Sequence, residues 1–175
     1  MRKNRLLRYV TLSLLLAIAI VLNYLESFIP SIGIPGVKLG LANIVILICL
    51  YKYKVYEALM VDLLRVVLAN LLKGTFLSIA FYMSLSGAVL SFLVMFLFRY
   101  IKQLKPLVIS VIGAIFHAVG QIIVALIILQ TSGILLYLPF IMLASIITGV
   151  LNGIVCERII ATNLFENIEN NKQED

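Results

Sequence analysis

Apolar runs of about twenty residues recur along this chain, separated by short connections in which lysine and arginine collect. A helix of that length covers the roughly 30 Å of hydrocarbon in a bilayer. Composition agrees: 63% of residues are hydrophobic, 13% are charged and the mean hydropathy is +1.14. A soluble domain carries about 25% charged residues. The pattern implies an all-α integral membrane protein.

Six spans are expected, at about 6–25, 36–51, 55–72, 76–98, 107–129 and 134–157. Residues 1–160 read as a single transmembrane domain and 161–175 as a polar cytoplasmic tail. The first run exceeds the apolar core of a signal peptide and no small-x-small site follows it, so it reads as a retained span. Eleven of the 14 Lys and Arg residues fall on one side: Arg2, Lys3, Arg5, Arg8, Lys52, Lys54, Arg99, Lys102, Lys105, Arg158 and Lys172. Lys38 and Lys73 fall on the other, and Arg65 lies within a span. Basic residues stay on the cytoplasmic side, so both termini are expected there, in a bacterial cytoplasmic membrane. That distribution also explains the net charge of +6 without a basic face for nucleic acid. Cys49 and Cys156 lack metal-ligand spacing and read as small apolar residues.

Helical projection puts small and polar residues on one stripe of each of four spans. The stripes are Asp62, Arg65, Ala69 and Lys73; Ala80, Ser84, Gly87, Ala88 and Ser91; Ser110, Gly113, Ala114, His117, Gly120 and Gln121; and Ser145, Thr148, Gly149, Asn152 and Cys156. Small residues let membrane helices approach closely, which accounts for the Ser, Gly and Ala positions. Asp62 and Arg65 need more, because a charge in mid-membrane costs about 2.5–3.5 kcal/mol even on a lenient scale. Spaced i, i+3, they can form a buried ion pair with a packing or a functional role. His117 has no partner ligand on its own helix and implies no metal. With Gln121 one turn away it is either a satisfied polar pair or part of a ligand site.

Asn23, Lys38, Asn43, Asn70, Lys73, Thr75 and Gln130 fall near the outer span ends. Together with His117 and Gln121 they suggest a pocket opening outward. Between the first two spans runs IPSIGIPGVKLGLANIV (29–45). There Pro35 suits a first helical position, with Lys38 one turn in, an arrangement that attracts anions. A tight turn with a snorkelling lysine fits the same residues.

Five stretches, PGVKLGLANIV (35–45), LLRVVLANLLKGTF (63–76), SLSGAVLS (84–91), GAIFHAVGQIIVA (113–125) and SIITGVLNG (145–153), resemble the Gx-transporter family. That family also carries the label heptaprenyl diphosphate synthase component I. The fourth block, GAIFHAVGQIIVA, departs from the family pattern at Ala118, where an Asn is expected. The family is similar to the substrate-binding S components of energy-coupling-factor transporters. The resemblance implies an S-component-like bundle of six helices that takes a small molecule from outside. It also implies docking on a transmembrane coupling protein with ATPase subunits, for which Ser13 and Ala17 on the first span would be the patch. Prenyl elongation needs clustered aspartates to hold Mg²⁺; the aspartates here are Asp62 and Asp175, and no P-loop is present. No catalysis and no cofactor are expected of this chain. Two other roles fit the resemblance: a membrane scaffold for isoprenoid, quinone or flavin-linked electron-transfer proteins, or an accessory subunit of a prenyl diphosphate synthase. The candidate ligand-binding set is Lys38, Asn43, Asn70, Lys73, Thr75, His117 and Gln121, with a lipid bilayer and a small-molecule ligand as partners.

Overall fold

A computed structural model of the chain describes residues 2–28, 38, 40–101 and 103–162. Among them are six α-helices: α1 (Arg2–Glu26), α2 (Asn43–Lys52), α3 (Val55–Leu72), α4 (Ile79–Phe98), α5 (Pro106–Leu129) and α6 (Leu138–Ala161). A 3-10 turn (Ser132–Tyr137) leads into α6. Four segments are long and apolar enough to cross a membrane: Leu6–Glu26, α4, α5 and the turn with α6. The protein is therefore a helical membrane protein. α3 carries Glu57, Asp62 and Arg65, and α2 is short.

Local chemistry marks the helix ends. The backbone N–H of Lys54 donates to Glu57 Oε2 at 2.9 Å, closing the start of α3. Pro106 opens α5, where its missing N–H leaves no helical bond unmade. α4 begins at Ile79 rather than at the expected Phe76, because Leu77 takes a left-handed φ of 60°. The sixth helix begins later than expected, after the 3-10 turn and with Pro139 in its first turn, and runs on to Ala161. The expected tail lies outside the described residues from 163 onward.

The largest difference concerns the second span. Helix is expected from about 36, and α2 starts at Asn43. Gly40 has φ +86°, a left-handed conformation that a helix cannot contain. Lys38 thus stands in non-helical backbone ahead of α2, and not one turn inside it. Pro35 lies outside the described residues. At 1.5 Å per residue the 10-residue helix is about 15 Å long, half the hydrocarbon thickness.

This shortest helix is the hub. α2 packs against each of the other five, while α5 runs between α4 and α6, and α1 leans on α3. Its sequence is apolar on every side, and Val45, Ile46, Leu47, Ile48, Cys49 and Leu50 are all buried. Large apolar side chains on the outer helices, such as Leu14, Leu93, Ile127 and Leu151, face outward as a lipid-contacting surface requires.

Polar bonds fasten one end. Arg8 Nη2 lies 2.7 Å from Glu57 Oε2, Arg99 donates to the Leu50 carbonyl, and the Leu107 N–H donates to Glu157 Oε1 at 3.1 Å. Glycine seams bring the longer helices together. A Cβ at Gly120 would lie 2.7 Å from Ser86 O and 2.9 Å from Gly87 Cα, and one at Gly153 would lie 2.6 Å from Leu107 Cα. The obstacles are backbone atoms, which cannot swing aside. Gly120→Ala should therefore cost about 1–3 kcal/mol and lower the melting temperature in detergent. Gly133→Ala, where the nearest atom would be 3.8 Å away, should leave it unchanged. Equal melting of the two variants would remove close approach as a source of stability.

Candidate functional site

At the end of the bundle opposite Arg8, polar side chains from five helices converge on residues 38–43. Lys38 and Gly40 lie ahead of the first helical turn, and their buried amides must be paired. Side chains supply the bonds. The Lys38 N–H donates to Gln121 Oε1 at 2.8 Å, and Gln121 Nε2 donates back to the Lys38 carbonyl at 3.0 Å. Glu26 Oε1 accepts the N–H groups of Gly40 and, at 3.3 Å, of Leu41. Asn152 Nδ2 donates to the Gly40 carbonyl at 3.1 Å. One amide acts toward Lys38 as a neighbouring strand would, and one carboxylate caps two successive amides.

Two lysines meet beside this segment. Lys38 Nζ donates to Ser84 Oγ at 2.7 Å and to Asn23 Oδ1 at 3.3 Å. Lys73 Nζ donates to the same Asn23 Oδ1 at 2.8 Å and to the Asn23 carbonyl. Lys38 is 8% exposed, so its stem and its ammonium are both inside the protein. Below them, Arg65 Nε lies 2.7 Å from Asp62 Oδ1, and both residues are 1% exposed. Arg65 Nη2 also donates to Asn43 Oδ1 at 2.8 Å, and Asn43 Nδ2 donates to Ser91 Oγ at 3.1 Å. This run of bonds ties α3 to α2 and α4.

His117 is wedged between two glycines. Its Cδ2 lies 3.5 Å from where a Gly40 Cβ would stand, and its Cε1 lies 3.0 Å from a Gly87 Cβ. Buried His117 Nδ1 and Ser145 Oγ have no hydrogen-bond partner among the described residues.

Of the residues singled out from sequence, Lys38, Asn43, Lys73, His117 and Gln121 therefore occupy one region. Asn70 and Thr75 make local bonds instead: Asn70 Nδ2 donates to the Val66 carbonyl, and Thr75 Oγ1 donates to Asn70 Oδ1 at 2.9 Å. They close the end of α3. Gln130 is exposed at the end of α5, where its φ of 48° stops the helix. Ser13 and Ala17 are exposed on the outward face of α1. Sequence reasoning missed Glu26, and took Ser84, Ser91 and Asn152 only as stripe members. The one available signal for Glu26 was a carboxylate ending an apolar run immediately before a Pro- and Gly-rich segment.

An apolar helical bundle with buried charged groups gathered ahead of its central helix defines a membrane protein with a polar cluster of side chains inside an apolar core. Residues 15–159 match the heptaprenyl diphosphate synthase component I family, and the chain belongs to it. No curated protein and no solved structure matches the chain.

Two substitutions test the construction. Gln121→Leu strands the Lys38 N–H and C=O together, at about 1–3 kcal/mol for each, and should lower the denaturation midpoint in detergent accordingly. Asp62→Ala leaves the Arg65 charge uncompensated and should cost about 3–5 kcal/mol. The Asp62→Leu, Arg65→Met double variant should unfold at a higher temperature than Asp62→Ala. A single variant as stable as the double one would show that the pair is not coupled.

Proposed function

We propose that the chain is the substrate-binding membrane subunit of an energy-coupling-factor-type uptake transporter. It captures a small polar or amphipathic molecule from outside the bacterial cytoplasmic membrane, crosses that membrane six times and keeps both termini in the cytoplasm. The observation that carries this reading is the convergence of Lys38, Lys73, Asn23, Ser84 and Gln121 at one end of an otherwise apolar bundle. Packing alone needs no ammonium groups inside a membrane protein, where each one is costly. Ligand sites, in contrast, combine apolar walls with a few convergent polar groups. The neutral acceptors now holding the lysines are groups that a ligand can replace one for one.

Energy would come from a partner. The exposed Ser13 and Ala17 are small residues one turn apart on α1, suited to close approach by a helix of a transmembrane coupling protein bearing ATPase subunits. The family's description favours a second reading, an accessory membrane subunit of a prenyl diphosphate synthase. In that role the chain would assist and not catalyse, since Asp62 is committed to Arg65 and cannot join an Mg²⁺-holding cluster.

Native mass spectrometry of the detergent-extracted protein separates the two. Substrate capture predicts a small-molecule adduct that is weakened in Lys38→Ala while the protein stays folded. An adduct-free protein that instead copurifies with a soluble prenyl synthase subunit would overturn substrate capture and support the accessory role.

A further inference from the structure

We propose that the molecule held at this site presents an anionic group, a carboxylate or a phosphate, to Lys38 and Lys73. The inference rests on the substrate-capture reading and specifies the chemistry of what is captured. Both ammonium groups donate to the single oxygen Asn23 Oδ1, at 3.3 and 2.8 Å, which places them no more than about 6 Å apart. Like charges this close, one of them buried, raise each other's cost. Neither lysine has a carboxylate at ion-pairing distance among the described residues, where their acceptors are Asn23 and Ser84.

The acids nearby are already engaged. Glu26 directs its Oε1 to the amides of Gly40 and Leu41, and Asp62 pairs with Arg65. The charged groups of this region are Lys38, Lys73 and Arg65 against Glu26 and Asp62. Residues 29–37 and Leu39, which connect α1 to this segment, contain no ionisable side chain that could change the sign. One positive charge therefore has no counterpart, and an anion supplies it.

Other ligand chemistries fit less well. A cationic ligand meets two ammonium groups with no free acid. A neutral one leaves the excess charge in place. His117, whose ring turns its Cδ2 edge toward Gly40, adds a further polar atom in its unpartnered Nδ1. It offers a contact to the remainder of the ligand. Nothing in this arrangement depends on a helix N-terminus: α2 begins only at Asn43, whose side chain is bonded to Arg65 and Ser91.

A carboxylate or phosphate reaches such a site either as a soluble molecule or as a lipid headgroup, and two arms distinguish these sources. In the first, detergent-purified protein is titrated with inorganic phosphate, pyrophosphate and succinate, and melting is compared with chloride at matched ionic strength. In the second, melting is compared in nanodiscs of phosphatidylcholine with and without phosphatidylglycerol. At least one anion should raise the melting temperature in a saturable way. Apparent affinity should fall at least tenfold in Lys38→Gln and in Lys73→Gln. Lys38→Arg should retain it, and Lys105→Gln, altered at the exposed start of α5, should match the parent.

Melting insensitive to every anion in both arms would overturn the proposal, as would equal shifts in the parent and both glutamine variants. A neutral or cationic adduct in native mass spectra would also overturn it while leaving substrate capture intact. Loss of substrate capture itself has a separate signature, the adduct-free protein bound to a synthase subunit.

Discussion

Hydrocarbon offers no hydrogen bonds, so each backbone N–H and C=O inside a bilayer must find its partner within the protein. In this chain the demand is concentrated where helix is missing, at Lys38 and at Gly40 to Ala42, directly ahead of the central and shortest helix. A left-handed Gly40 rules out continuing α2 backwards. Gln121, Glu26 and Asn152 therefore provide in side chains what a helix provides in backbone. Irregular backbone inside a membrane protein survives only when its polar groups are paired, and here they are held from α1, α5 and α6 at once. The positions of those three helices relative to α2 are in turn fixed by these bonds.

The charged groups follow the same logic. Arg65 is almost fully buried, and its guanidinium is divided between Asp62 on its own helix and Asn43 on α2. This arrangement neutralises the charge and uses its remaining donors to register α3 against α2, and through Ser91 against α4. The lysine pair is different in kind. Its partners are neutral, and its positive charge stays in excess. A structural network that only joined helices would have been cheaper with no charge at all, which sets Lys38 and Lys73 apart from Arg65 as functional candidates.

Small residues do the remaining assembly. Without a hydrophobic driving force between helices in lipid, association depends on close packing, and the seams at Gly87 with Gly120 and at Gly153 with Leu107 bring backbones nearly into contact. The polar stripes of α4 and α5 follow these seams along most of their length, and they bond to the non-helical segment where Ser84 and Gln121 meet Lys38. Gly87 and His117 thus serve close packing, and Ser84 and Gln121 bond Lys38, in adjacent turns.

The sequence by itself determined what depends on neighbours along the chain. Apolar length marked helices, the 3.6-residue period marked their inward faces, and the i, i+3 spacing of Asp62 and Arg65 brought that pair within reach. It did not determine where α2 starts, because a Gly40 that turns left-handed has the same one-letter code as one that stays helical. Nor could it join Lys38 to Gln121, separated by 83 residues, or Gly40 to Asn152, separated by 112. A donor or acceptor carries no local sign of its distant partner. Which polar groups meet is decided by the order and rotation of packed helices, and Glu26 acquired its role only when the bundle carried the Gly40 and Leu41 amides to its carboxylate.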